Sequence, residues 1–169
     1  QSGGWGPTQG PPEWRKEGIQ PGDVLLPKLL QEAGYFTIHA GKAHWGAIPT
    51  DGANPLNLGF DINIAGHAAG GPGGYSGLDN FGNKEKGGHT LPWGIPGLEQ
   101  YHGQDIHLTD ATTLEAKKAV TQAVDSGKPF YLYLAHYAVH APIKPHKRFM
   151  ENYVGKNYAG TDRDIPPAE

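Results

Sequence analysis

The stretch GYFTIHAGKAHWG, residues 34–46, decides the fold that this chain is expected to adopt. Its first half, Tyr35 to His39, is a short β-prone run between two glycines, which predicts a buried strand with an abrupt end. Lys42 and His44 follow just past that end. Because ligands in open α/β sheets bind at the carboxyl ends of the strands, a cation and an imidazole at this place suit an anionic substrate.

A short helix is predicted directly before this strand, from Leu26 to Ala33. Pro27 falls in its first turn, where the missing N–H costs little, and Gly34 ends it. Its apolar face is expected to cover the strand. Leu25 stands at the capping position, and its apolar side chain is expected to weaken that end by about 1 kcal/mol.

The same order of helix, glycine-containing turn and strand returns later in the chain. Residues 109–125 predict a helix with Thr109 as its N-cap, and residues 129–136 predict a second strand that is covered on both faces. A further helix is expected to begin at His146. Two such units predict half of a three-layer α/β domain, with a largely parallel sheet between helices.

A histidine also follows the second strand. His140 stands in the loop after it, and Pro142 restricts the intervening Ala141 to extended geometry. A histidine of this kind is more often structural, and His136 is interpreted as such. The pairing of His140 with a cation and an imidazole at an equivalent strand end favours a functional role instead.

These residues resemble two motifs of the sulfatase family. A Gly-Lys-x-His run alone is a solvated loop in most proteins, but here a helix and a strand precede it and a second motif, His140-x-Pro142, accompanies it. The positions that fit the longer signature Gly-Tyr-x-Thr-x-x-x-Gly-Lys-x-His-x-Gly are Gly34, Tyr35, Thr37, Gly41, Lys42, His44 and Gly46. The resemblance implies that residues 1–169 are a single partial domain, the central segment of an alkaline-phosphatase-like catalytic domain.

The resemblance also implies a chemistry, the hydrolysis of a sulfate ester, here of a sulfated carbohydrate or other sulfated small molecule. It implies a formylglycine nucleophile beside a calcium ion. Lys42 would bridge the nucleophile's hydroxyl and a sulfate oxygen, His44 would assist removal of sulfate from the covalent intermediate, and His140 would donate to the sulfate or to the leaving oxygen. The remaining catalytic domain would be a partner of this segment, and a periplasmic or secreted bacterial enzyme is expected.

The residues that would hold the nucleophile and the metal do not occur in the sequence. The chain has no cysteine, and none of its three serines begins a Ser-x-Pro-x-Arg motif. No pair of adjacent aspartates occurs, and Asp79-Asn80 is interpreted as a turn. We therefore expect that the chain is a fragment, that it contributes no calcium ligand and that it is inactive alone.

A glycine-rich loop, residues 66–77, lies between the two helix–strand units. It follows a Gly-Phe-Asp sequence that in sulfatases precedes a short strand, here Phe60 to Ile64. The loop contains six glycines but no nucleotide-binding pattern. His67 is a candidate substrate-binding residue, because such a backbone lets a substrate approach closely. The alternative is a flexible connection with an exposed histidine.

Composition narrows the possible functions. The net charge is −3 and the Lys and Arg residues are scattered, so no general basic surface for nucleic acid is expected. The lack of cysteine excludes disulfides and thiolate metal sites, and no apolar run reaches the length of a membrane span. Three alternatives stay open: a phosphonate or phosphate monoester hydrolase of the same superfamily, a non-catalytic anion-binding homologue, and a glycine-rich interaction module.

Overall fold

A computed structural model describes residues 18–155 of the chain. The strands in this part are β1 (Phe36–Gly41), β2 (Ile62–Ile64) and β3 (Phe130–Ala135). The α-helices are α1 (Leu26–Glu32), α2 (Leu108–Asp125) and α3 (Lys147–Met150). Residues 1–17 and 156–169 lie outside the part of the chain that the structure describes.

β1 is the central strand of a parallel sheet with the order β2-β1-β3. Ile38 is paired with Ile62 of β2 and with Leu132 of β3. Since all three strands run in the same direction, their carboxyl ends meet at one edge of the sheet. The parallel α/β arrangement expected from the sequence is confirmed.

The two faces of the sheet are packed differently. Ile38 and Ala40 point to the face that α2 covers, where they join a buried cluster of apolar side chains from β2, α2 and the long connection between them. Thr37 points to the opposite face, and its hydroxyl donates to the Gly59 carbonyl at 2.8 Å. The α1 backbone at Lys28 lies against Gly59. Helices therefore flank the sheet on both sides, as the three-layer expectation requires.

α1 ends as its sequence predicts but packs differently. Gly34 adopts φ +90°, Ala33 is the C-cap, and Leu25 stands at the N-cap without a side-chain bond. The apolar face expected to cover β1 is not buried, because Leu26 and Leu29 are each about half exposed. The side chains of Lys28 and Gln31 on α1 bond to the Pro21 carbonyl and to Asp61, respectively.

α2 begins one residue earlier than predicted, and its cap is a different residue. The Nδ1 atom of His107 accepts from the N–H of Thr109 at 3.2 Å, so His107 is the N-cap and Thr109 lies in the first turn. The interpretation of Thr109 as the cap is therefore wrong. An imidazole nitrogen can accept a bond from the second helical N–H, as a hydroxyl would. The predicted start of α3 is close, with His146 as N-cap.

β3 is not covered on both faces, contrary to the prediction. It is the edge strand of the described sheet, and its residues are exposed or half-buried along its whole length. Leu134 is 44% exposed although it shares the α2 face with Leu132. The apolar sequence indicated burial, but no element in residues 18–155 lies beyond the outer edge of β3.

The connection from β2 to α2 is irregular yet mostly buried at its start. Residues 64–72 are all buried, and only short 3₁₀ turns occur between the two elements, Gly77–Gly82 and Glu99–Tyr101. The Asp79-Asn80 turn is confirmed within the first of them. Among residues 18–155, no helix combines the length and the apolar character needed to cross a lipid bilayer.

Candidate active site

The loop after β1 is fixed by backbone bonds at the edge of the sheet where the carboxyl ends meet. The N–H of Lys42 donates to the Ala135 carbonyl of β3 at 2.7 Å. Gly41 adopts φ +104°, and a Cβ at this position would overlap that same carbonyl. Only glycine allows β1 and β3 to approach so closely here, and the approach sets Lys42 between the two strand ends.

His44 is held in a backbone conformation that few side chains adopt. Its φ is 61°, and its N–H donates to the His67 carbonyl at 3.1 Å. A left-handed residue other than glycine costs free energy and persists where the surroundings enforce it. The imidazole of His44 lies directly on the backbone of Gly70, where a Cβ would overlap the ring.

His140 reaches the same place from β3. Residues Tyr137 to His140 form a turn closed by a 2.8 Å bond from the His140 N–H to the Tyr137 carbonyl. The exposed imidazole packs on Gly71, where a Cβ would lie 2.6 Å from Cε1. Its Nδ1 is 2.7 Å from the Ala141 carbonyl. Since a carbonyl only accepts, Nδ1 donates, and Nε2 is the nitrogen left for other contacts.

Two consecutive glycines therefore bring the histidines together. Gly70 supports His44 and Gly71 supports His140, and neighbouring Cα atoms are only about 3.8 Å apart. The pKa of His44 is lowered, first by burial and then by the charges of Lys42 and His140. The structure thus places Lys42, His44 and His140 on one surface, although their roles remain predictions.

The comparisons with known proteins identify the family. A family model described as Sulfatase matches residues 4–167. The chain belongs to the sulfatase family. It is 28% identical to an N-acetylgalactosamine-6-O-sulfatase of Bacteroides thetaiotaomicron, over 90% of this chain and 40% of that protein. It is 30% identical to the N-acetylgalactosamine-6-sulfatase of Mus musculus, over 88% of this chain and 28% of that protein.

A solved structure is also similar, that of the PsFucS1 sulfatase from Pseudoalteromonas sp. The TM-score is 0.45 and the identity 24%, over 78% of this chain and 32% of that one. The sulfatase segment spans 28–40% of the length of the two relatives named above.

His67 lies inside this sulfatase segment rather than on its surface. Its side chain is 5% exposed, and neither ring nitrogen has a hydrogen-bond partner among the described residues. The ring meets His89 edge-on, with 5.8 Å between centroids. Burial, with the nearby charges of His89 and His44, lowers the pKa of His67 to about 4. The alternative of an exposed histidine on a flexible connection is wrong, and the substrate-binding role stays a prediction.

The calcium and formylglycine typical of sulfatases are not tested by these residues. Within residues 18–155, no group of three His, Cys, Asp or Glu side chains is arranged to hold a metal ion. The chain also contains no cysteine. The chemistry below is therefore derived from Lys42 and the histidines alone.

Two features of the site were missed by sequence reasoning. His89 contacts His67 from a segment without periodicity, so no local signal indicates it. Tyr75 and Tyr137 are both almost fully buried and bond to backbone carbonyls of each other's loop. The glycine-rich stretch around Tyr75 has no periodicity that would indicate the burial of this side chain. His136, interpreted as structural, is half-buried beside the strand end.

Proposed function

We propose that this chain is the central segment of a sulfatase catalytic domain and that the full-length protein hydrolyses a sulfate ester of a carbohydrate. The observation that carries the proposal is the placement of His44 and His140 on the backbone of Gly70 and Gly71, with the charge of Lys42 close to His44. The remaining domain would supply the nucleophile segment before residue 1 and the metal ligands after residue 169. A periplasmic or secreted location in a bacterium belongs to the same proposal.

The three side chains divide the chemistry between them. The Lys42 ammonium attracts the sulfate group, and a cation placed where negative charge develops stabilises the transition state. His44 has a lowered pKa, so it is more often neutral and able to accept a proton. His140 donates through Nδ1 to Ala141, so its Nε2 donates only when the ring is protonated. His44 can thus act as a base, and His140 can act as an acid in its protonated form.

His67 is proposed as a contact for the carbohydrate rather than for the sulfate. A pKa of about 4 keeps its imidazole neutral near pH 7, with one nitrogen donating and the other accepting. Ester sulfate oxygens only accept, whereas a hydroxyl group both donates and accepts. The two unpartnered ring nitrogens of His67 therefore suit a sugar hydroxyl.

The proposal is tested by Lys42→Ala in the full-length protein. We expect kcat/KM for a sulfated saccharide to fall by about 100-fold or more, because one preorganised charge at the reacting group is lost. Lys128→Ala is the matched control, since Lys128 is an exposed lysine just before β3, at the amino end of that strand, and it should leave kcat/KM unchanged.

Two results would replace this function with another. Faster hydrolysis of phosphate or phosphonate monoesters than of sulfate esters by the wild-type protein would favour the related hydrolase. Binding of a sulfated saccharide without turnover, lost in Lys42→Ala, would favour a non-catalytic anion-binding homologue.

A further inference from the structure

The turn that carries His140 is bonded to a buried tyrosine of the glycine-rich loop. The Tyr75 hydroxyl lies 3.0 Å from the Tyr137 carbonyl and 2.9 Å from the His140 carbonyl. These two carbonyls belong to the first and last residues of the turn. The one proton of this hydroxyl is shared between the two carbonyls, so Tyr75 contacts both ends of the turn.

Tyr75 is itself fixed by the sheet-covering helix. Its side chain is 3% exposed, and its ring stacks on His107 with 5.3 Å between centroids. Its carbonyl accepts from the N–H of Leu108, the first residue of α2, at 2.8 Å. Burial raises the pKa of Tyr75, so the hydroxyl keeps its proton and can donate. Tyr75 therefore connects the first residue of α2 to the turn that carries His140.

A second tyrosine hydroxyl, this one in the turn, donates back to the segment that begins the β2–α2 connection. The hydroxyl of Tyr137 donates to the Ala65 carbonyl, directly before the glycine-rich loop, at 2.8 Å. Two buried tyrosine hydroxyls, those of Tyr75 and Tyr137, therefore connect the loop and the turn. In the sequence, Gly71 lies between Ala65 and Tyr75, and its lack of a side chain leaves room for the imidazole of His140.

We propose that Tyr75 is a positioning residue for His140, holding the turn so that the imidazole stays on Gly71 beside His44. The proposal rests on the proposed function of His140 as a donor at the reacting ester. His140 stands on an exposed loop after an edge strand, and the sheet alone does not fix it. Misplacement of a reacting group by about 1 Å can cost about 100-fold in rate, so a support of this kind matters for catalysis.

The test is Tyr75→Phe in the full-length protein, alone and combined with His140→Ala. The hydroxyl is lost while the ring that stacks on His107 is kept. We expect kcat for a sulfated saccharide to fall about tenfold with KM within about twofold, because Lys42 and His44 still hold the sulfate. In the His140→Ala background the same substitution should have no further effect on kcat, since residues that act as one unit are not additive. Independent, additive losses would overturn the proposal.

Tyr101→Phe is the matched control. Its hydroxyl donates to Glu115 at 2.7 Å, away from the strand ends, so the substitution removes a comparable hydrogen bond and should leave kcat unchanged. A loss of kcat equal to that of Tyr75→Phe would overturn the proposal.

A crystal structure of the Tyr75→Phe variant separates this proposal from the proposed function. A displaced turn at residues 137–140 supports positioning even if the wild-type protein hydrolyses no sulfate ester, whereas an unmoved turn and imidazole overturn it.

Discussion

The loop after β1 and the loop after β3 bring side chains to one site by different physical means. Lys42 and His44 follow the central strand, and the backbone N–H groups of both residues donate to carbonyls of neighbouring segments. His140 follows an edge strand on an exposed loop, where Val139 is 86% exposed, and a tyrosine hydroxyl holds its turn. The first loop is therefore held by backbone bonds that continue the sheet, whereas the turn of the second depends on a side-chain hydroxyl.

The largest effect is expected where β1 and β3 meet. Gly41→Ala would place a Cβ on the Ala135 carbonyl at φ +104°, and we expect a loss of about 4 kcal/mol in the free energy of unfolding. Gly34→Ala is the control, because φ is +90° there but nothing lies within 4 Å, and it should cost about 1 kcal/mol. Urea denaturation of both full-length variants measures the difference. Equal losses would show that the close approach of the strands is unimportant.

A pair of neighbouring substitutions compares the two loops directly. Gly70→Ala would press on the ring of His44, whose backbone is fixed, and should lower both activity and unfolding free energy, the latter by about 2 kcal/mol. Gly71→Ala would press on the ring of His140, which is exposed to solvent. It should lower kcat about tenfold and change stability by less than about 0.5 kcal/mol.

The measurements are kcat for a sulfated saccharide and urea denaturation of the full-length variants. If Gly71→Ala lowers the free energy of unfolding as much as Gly70→Ala, both loops contribute equally to stability, and the inferred difference between them is wrong.

The strand ends of the site could be predicted from the sequence because their signals are local. Glycine, a β-prone run and then Lys42 and His44 lie within thirteen residues, and β1 was found within two residues of its predicted bounds. The contacts that hold His140 could not be predicted, since Tyr75 and His140 are separated by 65 residues. Without any periodicity in the glycine-rich loop, nothing in the sequence indicates which of its side chains is buried.

The exposure of β3 could not be predicted for a related reason. An apolar strand indicates burial, but its neighbours decide whether it is buried, and residues 18–155 contain none beyond its outer edge. The same limit applies to α1, whose leucines are half exposed. Local pattern predicted the type of both elements correctly and their surroundings incorrectly.

The smallest expected effect concerns His67, whose carbonyl accepts from the N–H of His44 and whose ring lies near His89 and Tyr137. His67→Ala should lower kcat/KM for a sulfated saccharide about tenfold, because a sugar hydroxyl loses its donor and acceptor. It should change kcat/KM for a small aryl sulfate less than about twofold, since under the proposed function Lys42, His44 and His140 would hold the sulfate common to both substrates. His67→Gln, which keeps one donor and one acceptor, should recover part of the loss on the saccharide. Equal losses on both substrates would instead place His67 at the sulfate, and no loss on either would make its buried imidazole a packing group of the loop.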